Sequence, residues 1–293
     1  MAASFTLLPY RSVIAVSGDD RVAFLQGLIS NDTTKVSPGH AVWAALLTPQ
    51  GRFLNDMFVV DGGSDTLLLD TERERAAGLA RKLAMYKLRS KVAVEDRSAK
   101  MDVAVVFGES AAAAATGALG NDKVIAFADP RLPELGVRVL TPAGEAAALL
   151  ESHGCVPSTP DHYDELRLSL GVPDGSRDLP VEKALLLESG FDELHGVDWN
   201  KGCYMGQELT ARTKYRGLVR KRLFPVKVEG PLPAPGTVIQ RDGQEVGEIR
   251  SGAGNRALAM LRLEALTGDT LMADQARIVP HKPAWMRLPS ASE

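Results

Sequence analysis

A chain of 293 residues is longer than one compact core usually needs, so two domains, or three small ones, are expected. Apolar residues at 45% and charged residues at 24%, with a mean hydropathy of -0.06, describe an ordinary globular composition. The most apolar stretch, residues 103–120, is alanine-rich and broken by Glu109, which excludes a membrane span. Basic residues number 34 against 37 acidic, so the net charge is -3 and no global attraction to nucleic acid or anionic lipid exists. Any basic site is local. Two cysteines, Cys155 and Cys203, can supply neither a disulfide framework nor a four-thiolate zinc or iron–sulfur cage, so reduced thiols and no metal site are expected. No basic residue precedes Arg11, so the start resembles neither a secretory nor an Arg-rich transit leader, and a cytoplasmic protein is expected.

In chain order, residues 12–16 form a strand candidate. Ser17 and Asp20 then make a capping-box-like start, with Val22, Leu25, Leu28 and Ile29 on one helical face. Residues 41–47 and 53–60 read as paired strands around the turn at 48–51. Thr71 is placed to cap a helix carrying Ala76, Leu79, Ala80, Leu83 and Ala84. A buried strand at 101–107 precedes an alanine run, 111–116, read as helix. Helices are also expected at 164–170, stopping at Gly171 and Pro173, and at 180–188, ahead of Gly190. This irregular alternation is that of an α+β fold. Past Arg222 the texture changes to short strands at 224–228, 237–240, 245–250 and 257–262, with Asp242 and Gly243 as a hairpin turn. A C-terminal β-barrel or sandwich is therefore expected at 223–288, after a first region spanning 1–222.

The segment with most chemical content is Lys201, Gly202, Cys203, Tyr204, Met205, Gly206, Gln207, Glu208. Two glycines bracket the thiol, Lys201 lies close, and a helix can start at Gln207, so two positive fields would favour a thiolate at Cys203. The competing reading is a small buried hydrophobe, the usual fate of an unbridged cysteine. His195, eight residues earlier, could pair with Cys203, but no third orienting group is evident; His153 beside Cys155 is a weaker pair still. Trp199 could stack on a planar ligand or simply pack. Basic segments at Lys87, Arg89 and Lys91, and at Arg212, Lys214, Arg216, Arg220, Lys221 and Arg222, could receive a polyanion or remain solvated.

The run 201–208 resembles the signature of the YgfZ family of folate-binding iron–sulfur maintenance proteins, relatives of the aminomethyltransferase (T protein) of glycine cleavage. Segments 24–32 (FLQGLISND), 51–59 (GRFLNDMFV), 86–92 (YKLRSKV) and 166–173 (LRLSLGVP) agree in order, and the likeness covers nearly the whole chain. It implies two interleaved α+β subdomains and a C-terminal barrel around a channel for tetrahydrofolate or a derivative. It further implies that Asp56 faces the folate, with Asn55 standing where the T protein has a first acid, a departure that weighs against aminomethyl transfer. Arg167 lies in a segment like a folate-contacting one, and its guanidinium suits a carboxylate or a pterin oxygen. The implied function is folate-dependent assistance in assembly or repair of iron–sulfur proteins, with Cys203 and Asp56 as reacting groups, iron–sulfur clients as partners and a link to tRNA modification. Whether it catalyses a reaction stays open. The alternatives are a glycine-cleavage-type aminomethyltransferase and a non-catalytic RNA- or protein-interaction module using residues 212–222.

Overall fold

The computed structural model describes residues 2–113, 123–217, 219–266 and 270–288. Strands β1 (Ser4–Leu7) and β2 (Arg11–Ser17) lead to helix α1 (Arg21–Gln26). Strands β3 (Val42–Leu47), β4 (Phe53–Asp61) and β5 (Thr66–Glu72) precede helix α2 (Arg73–Tyr86). Next come β6 (Ala93–Asp96), β7 (Met101–Phe107), β8 (Ile125–Ala128), β9 (Val137–Pro142), α3 (Ala146–Ser152), β10 (Val156–Pro157) and α4 (Pro160–Leu170). Helices α5 (Gly175–Asp178) and α6 (Gln207–Tyr215) follow, and six strands close the chain: β11 (Lys221–Glu229), β12 (Val238–Arg241), β13 (Gln244–Ala253), β14 (Arg256–Arg262), β15 (Leu271–Ala273) and β16 (Ala276–Pro280).

The chain divides into two compact units. The first, Met1–Leu47 with Leu54–Tyr163 and His195–Met205, holds two five-stranded sheets, in the orders β3-β4-β5-β2-β6 and β10-β1-β7-β9-β8. All six residues of β3 and the first eight of β4 are buried, so both faces of these strands are covered and they read as nearly unbroken apolar runs rather than alternating ones. Asn55 and Asp56 sit inside such a run, 5% and 2% exposed.

The second unit, Thr48–Phe53 with Asp164–Leu194 and Gly206–Glu293, contains the closed barrel β11-β14-β13-β12-β15-β16. Closure by pairing of β11 with β16 leaves no exposed edge. Phe224, Val226, Ile239, Ile249, Leu261 and Ile278 fill its interior. Irregular register at Ile239/Gln240 and between Ile249 and Gly252 bends the strands enough to close.

Three local expectations fail. Ser17 makes no capping box: it ends β2, Asp20 at the start of α1 accepts from Lys91 N–H and makes no side-chain cap bond, and Leu28 and Ile29 lie past the helix end at Gln26. Thr71 caps nothing: it is a ladder residue of β5 opposite Ser12 and Met57, and its hydroxyl donates to the Asp56 carbonyl. The expected helix at 180–188 is instead a turn segment whose backbone bonds the 48–53 turn, with Glu182 N–H to Phe53 O and Phe53 N–H to Ala184 O. A short 3-10 turn at Leu187–Ser189 is its helical remnant. Helix 164–170 begins four residues earlier than expected, at Pro160, a residue whose missing N–H suits a first turn. Residues 111–113 are helical; the rest of the alanine run, 114–116, lies outside the described residues.

Candidate functional site

Asp56 belongs to an interior cluster of alternating charges. Its Oδ2 accepts from Trp43 Nε1 at 3.1 Å, and its Oδ1 lies 3.7 Å from Arg11 Nη1. Arg11 Nε donates to Asp70 Oδ1 at 2.8 Å, and Arg138 pairs with the other oxygen of Asp70. Asp129 continues the chain, 3.5 Å from Arg138 Nε and bonded twice by Arg131. The Phe58 ring lies within 4.1, 4.8 and 5.6 Å of the Arg138, Arg131 and Arg11 guanidiniums. Three arginines and three aspartates are thus all at most 3% exposed and balanced in charge. Burial works against the Arg138 charge, yet Asp70 and Asp129 outweigh it and hold its pKa above the ordinary value. Asp129 is likewise opposed by burial and held below the usual carboxylate range by Arg131 and Arg138.

Arg167 anchors a similar network in the second unit. Its Nε reaches Asp164 at 2.8 Å, Nη1 reaches Asp178 at 2.7 Å and the Val172 carbonyl at 2.8 Å, and Nη2 reaches Ser251 Oγ at 2.9 Å. Ser251 in turn bonds Asp178, and Arg177 bonds Asp164. Asn55, Asp56 and Arg167, three of the four residues expected at a folate, are therefore buried, and the carboxylate and guanidinium are held by protein groups. The polar atoms of Asp56 and Arg167 are taken up by protein groups in this arrangement.

The signature loop is different. Lys201 Nζ donates to the Gln26 carbonyl, Gln26 Nε2 donates to the Lys201 carbonyl at 3.2 Å, and Met205 N–H donates to the Gly27 carbonyl at 3.1 Å. The loop 201–205 is thereby pinned at both ends to the C-terminal end of α1. Gly202 has φ +87 with nothing within 4 Å of where a Cβ would stand, so glycine is required by backbone conformation rather than by space. At the apex Cys203 is exposed, while Cys155 is 4% exposed in an apolar cluster and burial pushes its thiol pKa up. Beneath the apex the Lys201 ammonium lies 4.8 Å from the Tyr204 ring centroid. Burial lowers the Lys201 pKa from 10.5 to about 8, against the opposing pull of Asp32, Asp198 and Cys203.

That shift has a measurable consequence. Between pH 8 and 10.5 the unfolded chain holds a proton on Lys201 that the folded chain lacks, so stability rises with pH across this window. Relative to Lys201→Met, the wild-type unfolding midpoint in denaturant should climb from pH 8 to 10.5. Parallel profiles would show an ordinary, solvated lysine.

Upstream of the thiol lies a cleft of about 450 Å³ lined by Asn31, Lys35, His40, His195, Asp198, Trp199 and Asn200, among others. Asp198 pairs with Lys35 and accepts from Asn200 N–H at 2.7 Å. His195 has φ +59, a conformation held by Asn31 Nδ2 donating to its carbonyl at 2.6 Å. Trp199 and His195 thus share one cleft. Among the described residues no hydrogen bond joins His195 to Cys203, and no group of three or more His, Cys, Asp or Glu side chains is arranged to hold a metal. His153 bonds Ser152 and the Leu149 carbonyl. In the basic run, Arg222 is buried against Glu193 at 2.8 Å and Lys214 pairs with Asp192, while Arg212, Arg216, Arg220 and Lys221 are exposed. Glu188, which no motif marks, is half-buried; burial raises its carboxyl pKa although Lys221 and Arg52 oppose the shift. Its isolation depends on packing that local sequence does not encode.

Comparison with known proteins agrees with this architecture. Residues 11–129 match the GCVT N-terminal domain, and residues 220–288 match the CAF17 C-terminal beta-barrel domain. The structure superposes on the glycine cleavage system aminomethyltransferase T of Bartonella henselae with a TM-score of 0.79 at 16% identity, covering 97% of this chain and 86% of that one. These likenesses define a GcvT-type fold with a C-terminal six-stranded barrel. In sequence, the mitochondrial iron–sulfur cluster assembly factor IBA57 of Mus musculus is 37% identical over 280 residues, covering 88% of this chain and 77% of that protein. Its Homo sapiens counterpart is 38% identical over 277 residues with the same coverage. The chain belongs to the IBA57 family of iron–sulfur cluster assembly factors. The cytoplasmic expectation is corrected by the same relatives, which are named as mitochondrial proteins; composition of the first residues was too weak a basis for it.

Proposed function

We propose that this chain assists the assembly or repair of iron–sulfur proteins and that Cys203 is the thiol through which it acts. The observation that carries the reading is the contrast between the two cysteines: one lies inside an apolar core, and the other is exposed at the apex of a loop pinned at both ends. A thiolate is a nucleophile and a soft donor toward iron, and a rigid loop holds it ready for a client without an ordering cost at each encounter. The 201–208 signature supports a YgfZ-like mode of action within this wider group. The buried Asn55 in place of a carboxylate weighs against aminomethyl transfer. Deletion of the gene should depress the activity of several iron–sulfur enzymes together, and the intact chain should restore them. Normal enzyme activities in deleted cells would remove the proposal.

A reduced folate, tetrahydrofolate or a derivative, is the ligand implied by the fold's relatives. If it binds, a concentration of roughly 100 times its dissociation constant should add ~2.7 kcal/mol of stability, visible as a raised melting temperature. An unchanged melting curve at saturating tetrahydrofolate would show that the chain does not bind it. The basic run 212–222 is the basis of the RNA-binding alternative; two of its cations, Lys214 and Arg222, already have acidic partners, which weakens that reading.

A further inference from the structure

Helix α2 ends in a way that works against its own sequence. Lys87 N–H still bonds the Leu83 carbonyl, and the next residue, Leu88, turns left-handed at φ +44 before Ser90 N–H returns to the Lys87 carbonyl at 2.6 Å. This first residue past the helix is where glycine or asparagine removes the clash between Cβ and backbone that other residues suffer. Leucine gains nothing from the fold in exchange: its side chain is 86% exposed, and Met85, three residues earlier on the last turn, is 75% exposed. Among the described large hydrophobic residues, only Tyr215, at 78%, is comparably open. A strained backbone therefore holds an apolar side chain out into water.

The surroundings are basic. Residues 81–91 include five lysines and arginines and no acid, although the chain as a whole carries -3. Arg81, Lys87 and Arg89 are exposed, and among the described residues Arg81 and Arg89 make no ion pair. Two acids face the end of the segment from the α1 entry: Asp19 lies 3.8 Å from Lys91 Nζ in a solvent-exposed pair, and Asp20 accepts from Lys91 N–H. They offset Lys91 alone. An apolar knob inside a basic rim is complementary to an apolar notch inside an acidic rim.

We propose that Leu88 and Met85, ringed by Arg81, Lys87 and Arg89, form a docking knob for an acidic protein partner. Strain at Leu88 is then the conformational cost of presenting the knob, and the positive rim steers a negatively charged partner onto it. The surface is independent of Cys203, so loss of docking and loss of thiol chemistry are separable.

Peptides displayed on phage and selected on the immobilised full chain provide the probe, followed by resynthesis and affinity measurement of the winners. Selected peptides should be acidic around a large apolar residue. Their dissociation constants should rise about tenfold or more with Leu88→Asn, as for a buried interface anchor, and rise again with Arg89→Glu and with added salt. Leu88→Asn should melt no lower than wild type, because asparagine tolerates the left-handed backbone; this separates lost docking from lost folding. Cys203→Ser should leave peptide affinity unchanged. Peptides that bind wild type and Leu88→Asn alike would overturn the proposal. So would tighter binding of a poly-uridine oligonucleotide or a phosphatidylserine vesicle that depends on Arg89 and not on Leu88, since this would make the patch a polyanion site.

Discussion

Asp70→Asn should destabilise the protein by about 3–5 kcal/mol, the range for removing one member of a buried ion pair. Asp70 is wholly buried, and it bonds both Arg11 and Arg138. Its loss leaves the three-arginine cluster with two carboxylates and a net positive charge in the interior. Packing of the guanidiniums on Phe58 cannot offset that charge, because cation–π attraction contributes only about 2 kcal/mol when desolvated. A fall in melting temperature on the order of 10 °C is expected for a chain this size. Asp56→Asn should cost less, about 1–2 kcal/mol, because an asparagine oxygen still accepts from Trp43 and Arg11 retains Asp70. A melting temperature for Asp70→Asn within a degree of wild type would mean that the cluster is hydrated and not interior.

In native protein, iodoacetamide should modify Cys203 ~100-fold faster than Cys155, because Cys155 must first be exposed by a local opening costing about 2.7 kcal/mol or more. Mass spectrometry of tryptic peptides over time gives both rates in one sample. Equal rates would mean either that the core around Cys155 opens freely or that the 201–205 loop closes over Cys203.

Elements that depend on local patterning were legible. Four of the six barrel strands, β11 to β14, the pair of strands around 48–51 and helix α2 follow from alternation, turn residues and apolar spacing, each a short-range property; β15 and β16, three and five residues long, are too short to show such a pattern. Thr71 and residues 180–188 misled because their backbone groups bond partners far away in sequence, which outweighs a local helical preference. The charge cluster was invisible for the same reason: its bonds join residues 59 and 68 positions apart, and an isolated Arg11 or Asp70 looks like any surface charge. The signature loop stood out because unusual residues are contiguous there. Even so, its spacing could not reveal that Lys201 would be buried against Gln26 and Tyr204, or that Leu88 would be held outward.

Whether Cys203 acts chemically is decided by the activity of an iron–sulfur enzyme in deleted cells supplied with Cys203→Ser, Cys155→Ser or wild-type chain at equal abundance. Serine keeps the shape of the exposed loop apex and removes its sulfur. Cys203→Ser should leave the enzyme near the deleted level, while Cys155→Ser, which changes only a core thiol, should restore it to the extent that the protein folds. Full restoration by Cys203→Ser would show that the sulfur is dispensable and reduce the 201–205 loop to a scaffold.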